Sequence, residues 1–432
     1  MPALLRDLID DLTAGLARVA MRVFFRDVEV VGRDRLPRGV PLLVIANHVN
    51  NLIDPMVIMA FIGRRPRFLA KSTLWRHPVV APLLVMSGAV PVYRHSDGEP
   101  VARNFETFAR CREMLAGGAT VALFPEGTSH NEPGPTPLKT GAARIALETE
   151  ARHGRLGLRI VPVGLVYEDK KRFRSRVLVQ VGDPIDPGPE QARYAGEPRP
   201  AVRALTARIA SALEAVTAPF ASWEEARLID RAVDLAIDGD PHALPLSRRW
   251  ALWRAFVGHH ALLARTDPPR ALRLATALRA YDEARRALGV SERELALPPP
   301  AARALRVRAA LEWAAILPGA LLNWLPYRLP GWIADRLTRT PDEPATYMVL
   351  ASLLLFPAWW AMEAAIAARL GGPVAAVALL VLAPLSGYIA LCVHDRRRFR
   401  PRPATDLAER AALSAARAAL SAQIRDVVTA GP

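Results

Sequence analysis

Two long apolar runs near the C-terminus place the strongest constraint on how this chain can fold. Residues 345–368 contain one charged side chain, Glu363, and residues 373–393 contain none. Each run is long enough to cross a hydrocarbon core of about 30 Å as a helix. Because only RLGG separates the runs, they predict a transmembrane helical hairpin at 345–393. The alternative is a pair of core helices in a soluble domain.

The charges around the hairpin indicate an orientation. Residues 394–432 begin with HDRRRFRPR, which holds five arginines. By the positive-inside rule this end faces the cytoplasm. We therefore expect a basic cytoplasmic tail with a helix over 405–428, and an integral protein of the inner (cytoplasmic) membrane. An earlier apolar run, 309–325, is short and contains Glu312 and Pro318, so 301–340 is predicted to be re-entrant or interfacial.

The composition narrows the class of partner. The 432 residues include 57 Lys and Arg against 42 Asp and Glu, a net charge of +15, with a mean hydropathy of +0.12. A positive surface suits lipid headgroups, a phosphate-bearing substrate or nucleic acid. Two cysteines exclude a disulfide framework or a cysteine-based zinc site, and no metal is predicted. Three aspartates in the first 11 residues predict that there is no cleaved signal peptide.

The first half of the chain predicts an α/β domain over residues 1–218. Short β-rich runs alternate with helical stretches, a pattern typical of a sheet covered by helices. The β-rich runs lie at 28–32, 42–46, 67–71, 89–93, 120–124, 159–167 and 176–182, and the helical stretches at 101–117 and 140–152. Residues 219–300 are charged and helical, and we interpret them as a helical linker domain that ends at the prolines 298–300.

The N-terminal segment, residues 1–26, predicts a helix with most of its leucines and valines on one side. Two interpretations stay open. The helix packs on the sheet, or it lies on an anionic membrane surface as an interfacial helix, and both can hold in part.

One motif suggests a general base. In the sequence ANHVNNLIDP, His48 follows a predicted strand and Asp54 lies six residues later. Six residues on one helix would point the two side chains about 120° apart, so His48 must lie in the turn before the helix. Asp54 would then accept a hydrogen bond from Nδ1 and leave Nε2 to take a proton from a hydroxyl. A purely structural His–Asp pair is the alternative.

Three further motifs follow strands in the same domain. Glu126 in FPEGTS would present a carboxylate at a strand end, and Arg94 after GAVPVY would suit a phosphate. Pro162 lies inside the run RIVPVGLVY and predicts a sheet edge or a bulge. Taken singly, these motifs are equally compatible with an ordinary turn and a solvated arginine.

Taken together and in this order, the four motifs resemble the glycerolipid acyltransferase family. That family carries a His–Asp block, a Gly-x-x-Pro-x-x-Arg block, a Phe-Pro-Glu-Gly block and a Val-Pro-x block. The resemblance covers about residues 20–190. It implies that family's fold and the transfer of a fatty acyl group from acyl-CoA or acyl carrier protein during phospholipid biosynthesis. It also implies membrane lipids as partners, no nucleic acid, and no cofactor beyond the acyl donor.

The resemblance implies a role for each motif residue. His48 and Asp54 would be catalytic, with direct transfer to an acceptor hydroxyl and no acyl-enzyme. Arg94 would hold the acceptor phosphate, and Glu126 with Gly127 the glycerol portion. Pro162 would shape the acyl side of the site. Further substrate contacts are expected from Thr128, Lys71, Lys139 and Asn47.

The His–Asp block departs from the common family pattern. Five residues, 49–53, separate His48 from Asp54, where four are usual. The form His-x-Asn-x-x-x-Asp-Pro resembles the branch with fungal-type enzymes that acylate glycerol 3-phosphate or dihydroxyacetone phosphate. Lysophosphatidate stays open as the acceptor, and a non-catalytic lipid-binding module is the alternative from another class. A nucleic-acid protein would rest on charge alone. The oligomeric state is left open.

Overall fold

The chain is divided into two compact units. The structure is a computed structural model that describes residues 3–78, 80–94, 98–99, 101–134, 136–237, 239–241, 243–296, 302–398 and 407–429. The first unit comprises 1–218 together with 333–350, and the second comprises 219–332 with 351–432. The inclusion of 333–350 in the first unit is not predicted by the sequence pattern. The predicted end of the linker at 298–300 and the tail residues 399–406 lie outside the described residues.

A seven-stranded sheet forms the centre of the first unit. Its strands are β1 (Asp27–Val31), β2 (Leu42–Ala46), β3 (Arg67–Lys71), β4 (Val90–Val92), β5 (Thr120–Leu123), β6 (Arg159–Tyr167) and β7 (Arg176–Val181). They are ordered β1-β7-β6-β2-β5-β3-β4, and every neighbouring pair is parallel except β6 and β7. The central strand β2, with sequence LLVIA, is buried throughout. A continuous apolar run is typical of a parallel strand covered on both faces.

Helices cover this sheet, which confirms the predicted α/β class. They are α1 (Ala3–Phe24), α2 (Ile53–Phe61), α3 (Val80–Ser87), α4 (Asn104–Ala116), α5 (Gly141–His153), α6 (Gly188–Tyr194) and α7 (Pro198–Glu214), with 3-10 turns at 33–35, 72–76 and 101–103. Leu43 and Ile45 of β2 pack with buried residues of α4, α5 and α7. Leu42 and Val44 point to the opposite face and are buried too, so both faces are covered.

Helix α1 packs with the side opposite to its leucines. It contacts α2 and α3, and Asp10, Ala17 and Met21 are buried there. Asp10 Oδ1 accepts a hydrogen bond of 2.7 Å from Arg67. By contrast, Leu4 is 85% exposed and Leu8 is 65% exposed. The helix therefore packs within the first unit, as the first interpretation predicts, but it does so through the side opposite to its leucines. Membrane contact by the exposed side stays a prediction.

Pro162 lies inside the sheet and not at its edge, because β6 is flanked by β7 and β2. Its carbonyl accepts a hydrogen bond of 2.9 Å from the Gly182 N–H, so its missing N–H also faces the β7 side. The ladder breaks here: beyond Gly182 the next pair is Ile160 with Ile185, where two residues oppose one. The predicted bulge is present, and it lies in the segment facing Pro162.

The remaining helices are α8 (Trp223–Ala236), α9 (Leu246–Thr266), α10 (Pro268–Ala287), α11 (Glu292–Ala296), α12 (Ala302–Leu337), α13 (Pro344–Arg398) and α14 (Leu407–Thr429). Helices α8, α9, α10 and α14 pack together in the second unit. A buried arginine, Arg249, joins α9 to α8 by binding Asp234 at 2.7 Å and, more closely, Asp230. The predicted helical character of 219–296 and of the tail is confirmed.

Helix α13 is two helices joined at Gly372, whose φ of 79° interrupts the helical backbone. One side chain, Asn323 of α12, contacts both arms. It accepts a hydrogen bond of 2.9 Å from Trp360 Nε1 and donates one of 2.9 Å to the Ala383 carbonyl. In an unbroken helix residues 360 and 383 would lie about 35 Å apart, so the arms 344–371 and 373–398 lie side by side. Of the helices in the described residues, α13 alone has the length and apolar composition needed to cross a membrane.

A close approach of two backbone segments in the first unit generates a stability prediction. A Cβ on Gly164 of β6 would lie 1.9 Å from the Val216 carbonyl oxygen, which is backbone and cannot turn away. Gly164→Ala should therefore lower the free energy of unfolding by roughly 1–3 kcal/mol. Thermal unfolding in detergent measures this. Gly196→Ala is the matched control, because nothing lies within 4 Å of its added Cβ. Equal melting temperatures for the two variants would contradict the packing described.

Candidate active site

The predicted site residues share one edge of the sheet. His48 follows β2, Glu126 follows β5, Lys71 ends β3 and Arg94 follows β4. These four strands are parallel, so their carboxyl ends meet at the same edge. Such an edge is the usual place for a ligand in an α/β sheet. The sheet therefore brings these four residues to one side of the first unit.

His48 and Asp54 form a direct pair. His48 Nδ1 lies 2.9 Å from Asp54 Oδ2, and α2 begins at Ile53, so the histidine precedes the helix as predicted. The Asp54 side chain is fully buried, while that of His48 is 13% exposed. A carboxylate on Nδ1 favours the tautomer with the proton on that nitrogen. Nε2 is then the atom that can accept a proton from a ligand.

Further donors fix the Asp54 carboxylate. Oδ2 also accepts hydrogen bonds from the backbone N–H groups of Val49, at 2.8 Å, and Asn50, at 2.7 Å. Oδ1 accepts one of 2.6 Å from the Tyr167 hydroxyl at the end of β6. Burial, together with the Asp54 charge, raises the pKa of Tyr167 well above its ordinary value. Tyr167 is therefore a constant donor that keeps the carboxylate in place.

The loop after β5 holds His48 from the other side. The ring of His48 stacks on Phe124 with centroids 4.1 Å apart. Its backbone N–H donates to Glu126 Oε2 at 2.7 Å, and its carbonyl accepts from the His130 N–H at 3.0 Å. Lys170 Nζ then donates to the carbonyls of Val49, at 2.7 Å, and His130, at 3.1 Å. These hydrogen bonds join the loop after β2 to the loop after β5.

Glu126 is buried with one oxygen engaged and one not. Oε2 takes the His48 N–H, and His130 Nε2 lies 3.0 Å from the same oxygen without hydrogen-bond geometry. Within the described residues no group donates to the buried Oε1. A buried acceptor without a donor is costly, so this atom is suited to a hydroxyl supplied by a ligand.

Gly127 is required by its surroundings. Its φ is 79°, and a Cβ on it would lie 2.5 Å from Lys139 Nζ. Lys139 therefore lies over the turn, and both it and Thr128 are exposed. Lys71 and Arg94 are half-buried at the ends of the neighbouring strands β3 and β4.

Asn47 does not join the group of ligand-facing side chains. It is 5% exposed, its Nδ2 donates to the Leu165 carbonyl at 3.0 Å, and its Oδ1 accepts from the Leu165 N–H at 2.7 Å. This corrects the expected substrate contact, because both polar groups fasten the end of β2 to β6. Pro162 pairs with Ile45 of β2 and is buried in the sheet.

The extra residue of the His–Asp block has a structural explanation. Asn51 lies in the left-handed region with a φ of 39°. Its Nδ2 donates to Asp342 Oδ2 at 2.8 Å, and its Oδ1 accepts from Ser129 Oγ at 3.2 Å. The next residue, Leu52, donates its N–H to Thr346 Oγ1 at 3.3 Å. Residues 338–346 therefore contact the loop that carries His48.

The Asp342 carboxylate is held in its charged form. Burial acts to raise its pKa, but hydrogen bonds from neighbouring groups, including Thr340, and the charge of Lys170 outweigh burial and lower it. For Lys170, burial is the main cause and lowers the pKa, although the charges of Asp54 and Asp342 oppose it.

Sequence reasoning missed Tyr167, His130, Lys170, Asn51 and Asp342. Tyr167 could have been found, because it ends a predicted strand as the other site residues do. Lys170 and His130 lie in loops that follow different strands. These loops contact each other only because of the order of the strands in the sheet, which the local sequence does not give. Asp342 lies 291 residues from its partner Asn51, and no local pattern joins the two.

The geometry defines an α/β domain with a buried carboxylate–histidine pair at the carboxyl edge of its sheet. Residues 27–166 match the family model described as Acyltransferase. This part of the chain is therefore similar to the acyltransferase family, as the sequence motifs predict.

Several known proteins are similar to parts of the chain. An uncharacterized acyltransferase of Schizosaccharomyces pombe is 27% identical over 51% of this chain and 46% of its own length. Glycerol-3-phosphate O-acyltransferase 1 of Saccharomyces cerevisiae is 34% identical over 32% of this chain and 19% of its own length. A chloroplastic 1-acyl-sn-glycerol-3-phosphate acyltransferase of Brassica napus is 28% identical over 35% and 40%. The chain thus spans less than half the length of these relatives.

Among solved structures, the 1-acyl-sn-glycerophosphate acyltransferase of Thermotoga maritima is 23% identical to this chain. It covers 49% of this chain and 81% of its own, with a TM-score of 0.36.

The role found for Asn47 can be tested by stability. Asn47→Ala leaves the Leu165 N–H and carbonyl buried without partners and should cost about 1–3 kcal/mol of unfolding free energy. Thr128→Ala, at an exposed site with one hydrogen bond of 3.4 Å, should change it by less than about 0.5 kcal/mol. Thermal melting of the two variants measures the difference. A melting temperature of Asn47→Ala equal to wild type would return Asn47 to the candidate substrate contacts.

Proposed function

We propose that this protein transfers a fatty acyl group from an acyl thioester to the hydroxyl of glycerol 3-phosphate or a lysophospholipid, as a step of phospholipid synthesis. The observation that carries the proposal is the His48–Asp54 pair, with Nδ1 bound at 2.9 Å to a fully buried carboxylate and the ring partly exposed. Such a pair provides a base of fixed orientation whose ring is partly accessible.

The proposed reaction is a direct transfer. His48 Nε2 takes the proton of the acceptor hydroxyl while its oxygen attacks the thioester carbonyl carbon. The carbon–sulfur bond then breaks, and the imidazolium returns the proton to the leaving thiolate. Asp54 balances the charge on the imidazolium during the step. The products are an ester and a free thiol, and the chemistry requires neither a metal nor an acyl-enzyme.

The acceptor is proposed to bind along the strand ends. Glu126 Oε1, buried and without a donor in the described residues, would accept from a glycerol hydroxyl. Arg94 would bind the acceptor phosphate, since a guanidinium contacts phosphate through two N–H groups. Lys71 and Lys139 supply further positive charge, while Gly127 and Thr128 form the turn beside them. Pro162 would border the acyl side through its place in β6.

Two acceptors fit this chemistry. The His-x-Asn-x-x-x-Asp-Pro spacing and the similarity to a yeast glycerol-3-phosphate acyltransferase favour glycerol 3-phosphate or dihydroxyacetone phosphate. The similarity to a 1-acylglycerol-3-phosphate acyltransferase keeps lysophosphatidate as the second candidate. The acyl donor is proposed to be acyl-CoA or acyl carrier protein. Both carry phosphate, which suits the net charge of +15.

The protein is proposed to act at a membrane. The two arms of α13 would cross the inner membrane as a hairpin, with the basic tail and the acyltransferase domain on the cytoplasmic side. The exposed leucines of α1, including Leu4 and Leu8, would add a second attachment to the lipid surface. A membrane-bound site is suited to a reaction whose product is a lipid.

Replacing His48 tests the function directly. His48→Ala should lower kcat by about 10²–10⁴-fold, because it removes the base while the fold keeps its other contacts. Purified full-length protein would receive radiolabelled acyl-CoA or acyl carrier protein, with glycerol 3-phosphate in one series and lysophosphatidate in the other. Chromatography of the labelled lipid then identifies the acceptor.

The matched control is His153→Ala, since His153 is an exposed histidine of α5 that meets Glu113 at 3.4 Å. It should leave the rate unchanged. Wild-type protein that acylates neither acceptor with either donor, while remaining folded, would favour the non-catalytic lipid-binding module. Formation of product by His48→Ala at the wild-type rate would show that His48 is not the general base.

The contact between Asp342 and Asn51 generates a second kinetic prediction. Asp342→Ala should lower kcat by up to about a hundredfold with a smaller change in KM, since a displacement of about 1 Å in a catalytic group has this effect. Asp342→Asn keeps an acceptor for Asn51 and should restore much of the rate. Asp335→Ala removes an exposed aspartate of α12 and should act like wild type. Equal kinetics of Asp342→Ala and Asp335→Ala would contradict a positioning role.

A further inference from the structure

Helix α12 carries a face of large apolar side chains that are mostly exposed. Five large side chains are each more than half exposed, namely Trp313, Leu317, Leu321, Trp324 and Trp332. At 100° per residue they fall within one third of the helix circumference. Along the axis they extend for about 28 Å. An exposed apolar face of this length indicates a contact with another molecule or with lipid.

The opposite side of α12 is the side that packs. A Cβ on Gly319 would lie 2.2 Å from the Ser386 carbonyl oxygen, so α12 and the second arm of α13 are in close contact. One turn later Asn323 is 5% exposed, with its hydrogen bonds directed to both arms. Helix α12 is thus fixed to the most apolar part of the chain, with its tryptophans turned away from it.

The connections of the second unit determine which side of a membrane each end must occupy. Helix α11 precedes α12, and α14 follows the second arm of α13. Arg417 of α14 binds the buried Glu292 of α11 at 2.7 Å, and α14 packs against α8 and α10 with Leu420 and Ile424 buried. The chain before α12 and the chain after α13 are therefore on the same side of any membrane.

It follows that the segment between residues 296 and 407 crosses a membrane an even number of times. The two arms of α13 lie side by side and are joined at Gly372, so they cross together or not at all. In either case α12 cannot cross, because one more crossing would separate α14 from α8 and α10. This conclusion holds whether or not the hairpin spans the bilayer.

We propose that α12 is an in-plane membrane helix, which lies in the leaflet on the side of α8–α11 and presents its tryptophan face to lipid. The charges agree with this placement. Arginines lie beyond both ends of this face, at 303, 306 and 308 and at 336 and 339, as expected if both ends stay at one surface. Arg328 lies within the face, between Trp324 and Trp332, where a long side chain can extend to the headgroups. Tryptophan is the side chain that prefers the boundary between headgroups and acyl chains. The proposal does not depend on the enzymatic activity.

Cysteine labelling tests the sidedness. The full-length chain has two cysteines, and burial raises the pKa of Cys111 to about 12, so it should not react. With Cys392→Ala as background, single cysteines at Ala310→Cys, Arg339→Cys and Arg369→Cys report the two ends of α12 and the hairpin tip. Membrane vesicles of both orientations would receive an impermeant maleimide. We expect 310 and 339 to react in the same vesicles; reaction in opposite vesicles would overturn the proposal.

A second measurement tests the lipid contact itself. Leu321→Cys and Leu317→Cys, labelled with an environment-sensitive NBD fluorophore, should show a blue-shifted emission in proteoliposomes and lose intensity with nitroxide-bearing lipids. Glu283→Cys, at an exposed position of α10, is the matched control and should emit as in water. Water-like emission at both 317 and 321 would show that another occupant or solvent faces these residues, and the in-plane placement would be rejected.

Discussion

The buried carboxylate of Asp54 is the constraint on which the rest of the site depends. Taking a carboxylate out of water costs several kcal/mol unless donors replace the lost hydration. Here Oδ2 accepts hydrogen bonds from His48 Nδ1 and from the backbone N–H groups of Val49 and Asn50. Oδ1 accepts a hydrogen bond from the Tyr167 hydroxyl. The two backbone donors can converge on one oxygen in only a narrow range of loop conformations. The orientation of the histidine ring is therefore a consequence of satisfying the charge.

The order of strands supplies these donors. Strand β2 lies between β6 and β5, so the loop after β2 has a neighbour on each side. Tyr167, at the end of β6, donates to Asp54, while Glu126, after β5, accepts from the His48 N–H. Lys170 then bridges the carbonyls of the two loops. A parallel arrangement is necessary, since an antiparallel β5 or β6 would carry these groups to the opposite edge.

The parts that the sequence could predict are those encoded locally. His48 and Asp54 lie within seven residues, and their spacing alone requires the histidine to precede the helix. Tyr167 and Lys170 contact that pair only because β6 is adjacent to β2, and adjacency is a property of the sheet. For α1 the apolar stripe predicted the helix but not its packed side, because such a stripe serves a core and a membrane equally well. The buried side, with Asp10, is set by Arg67 across the fold.

The longer His–Asp loop shows how the C-terminal half enters the site. An additional residue must be accommodated without moving His48 from Asp54, and Asn51 achieves this in the left-handed region, which asparagine tolerates better than most residues. That conformation directs its amide to Asp342 and Ser129. The segment 333–350 belongs to the first unit, and it includes the first two turns of the apolar helix α13. Removing it would leave Asn51 without its hydrogen bond to Asp342 and Leu52 without its hydrogen bond to Thr346, so the loop that carries His48 depends on residues of the C-terminal half.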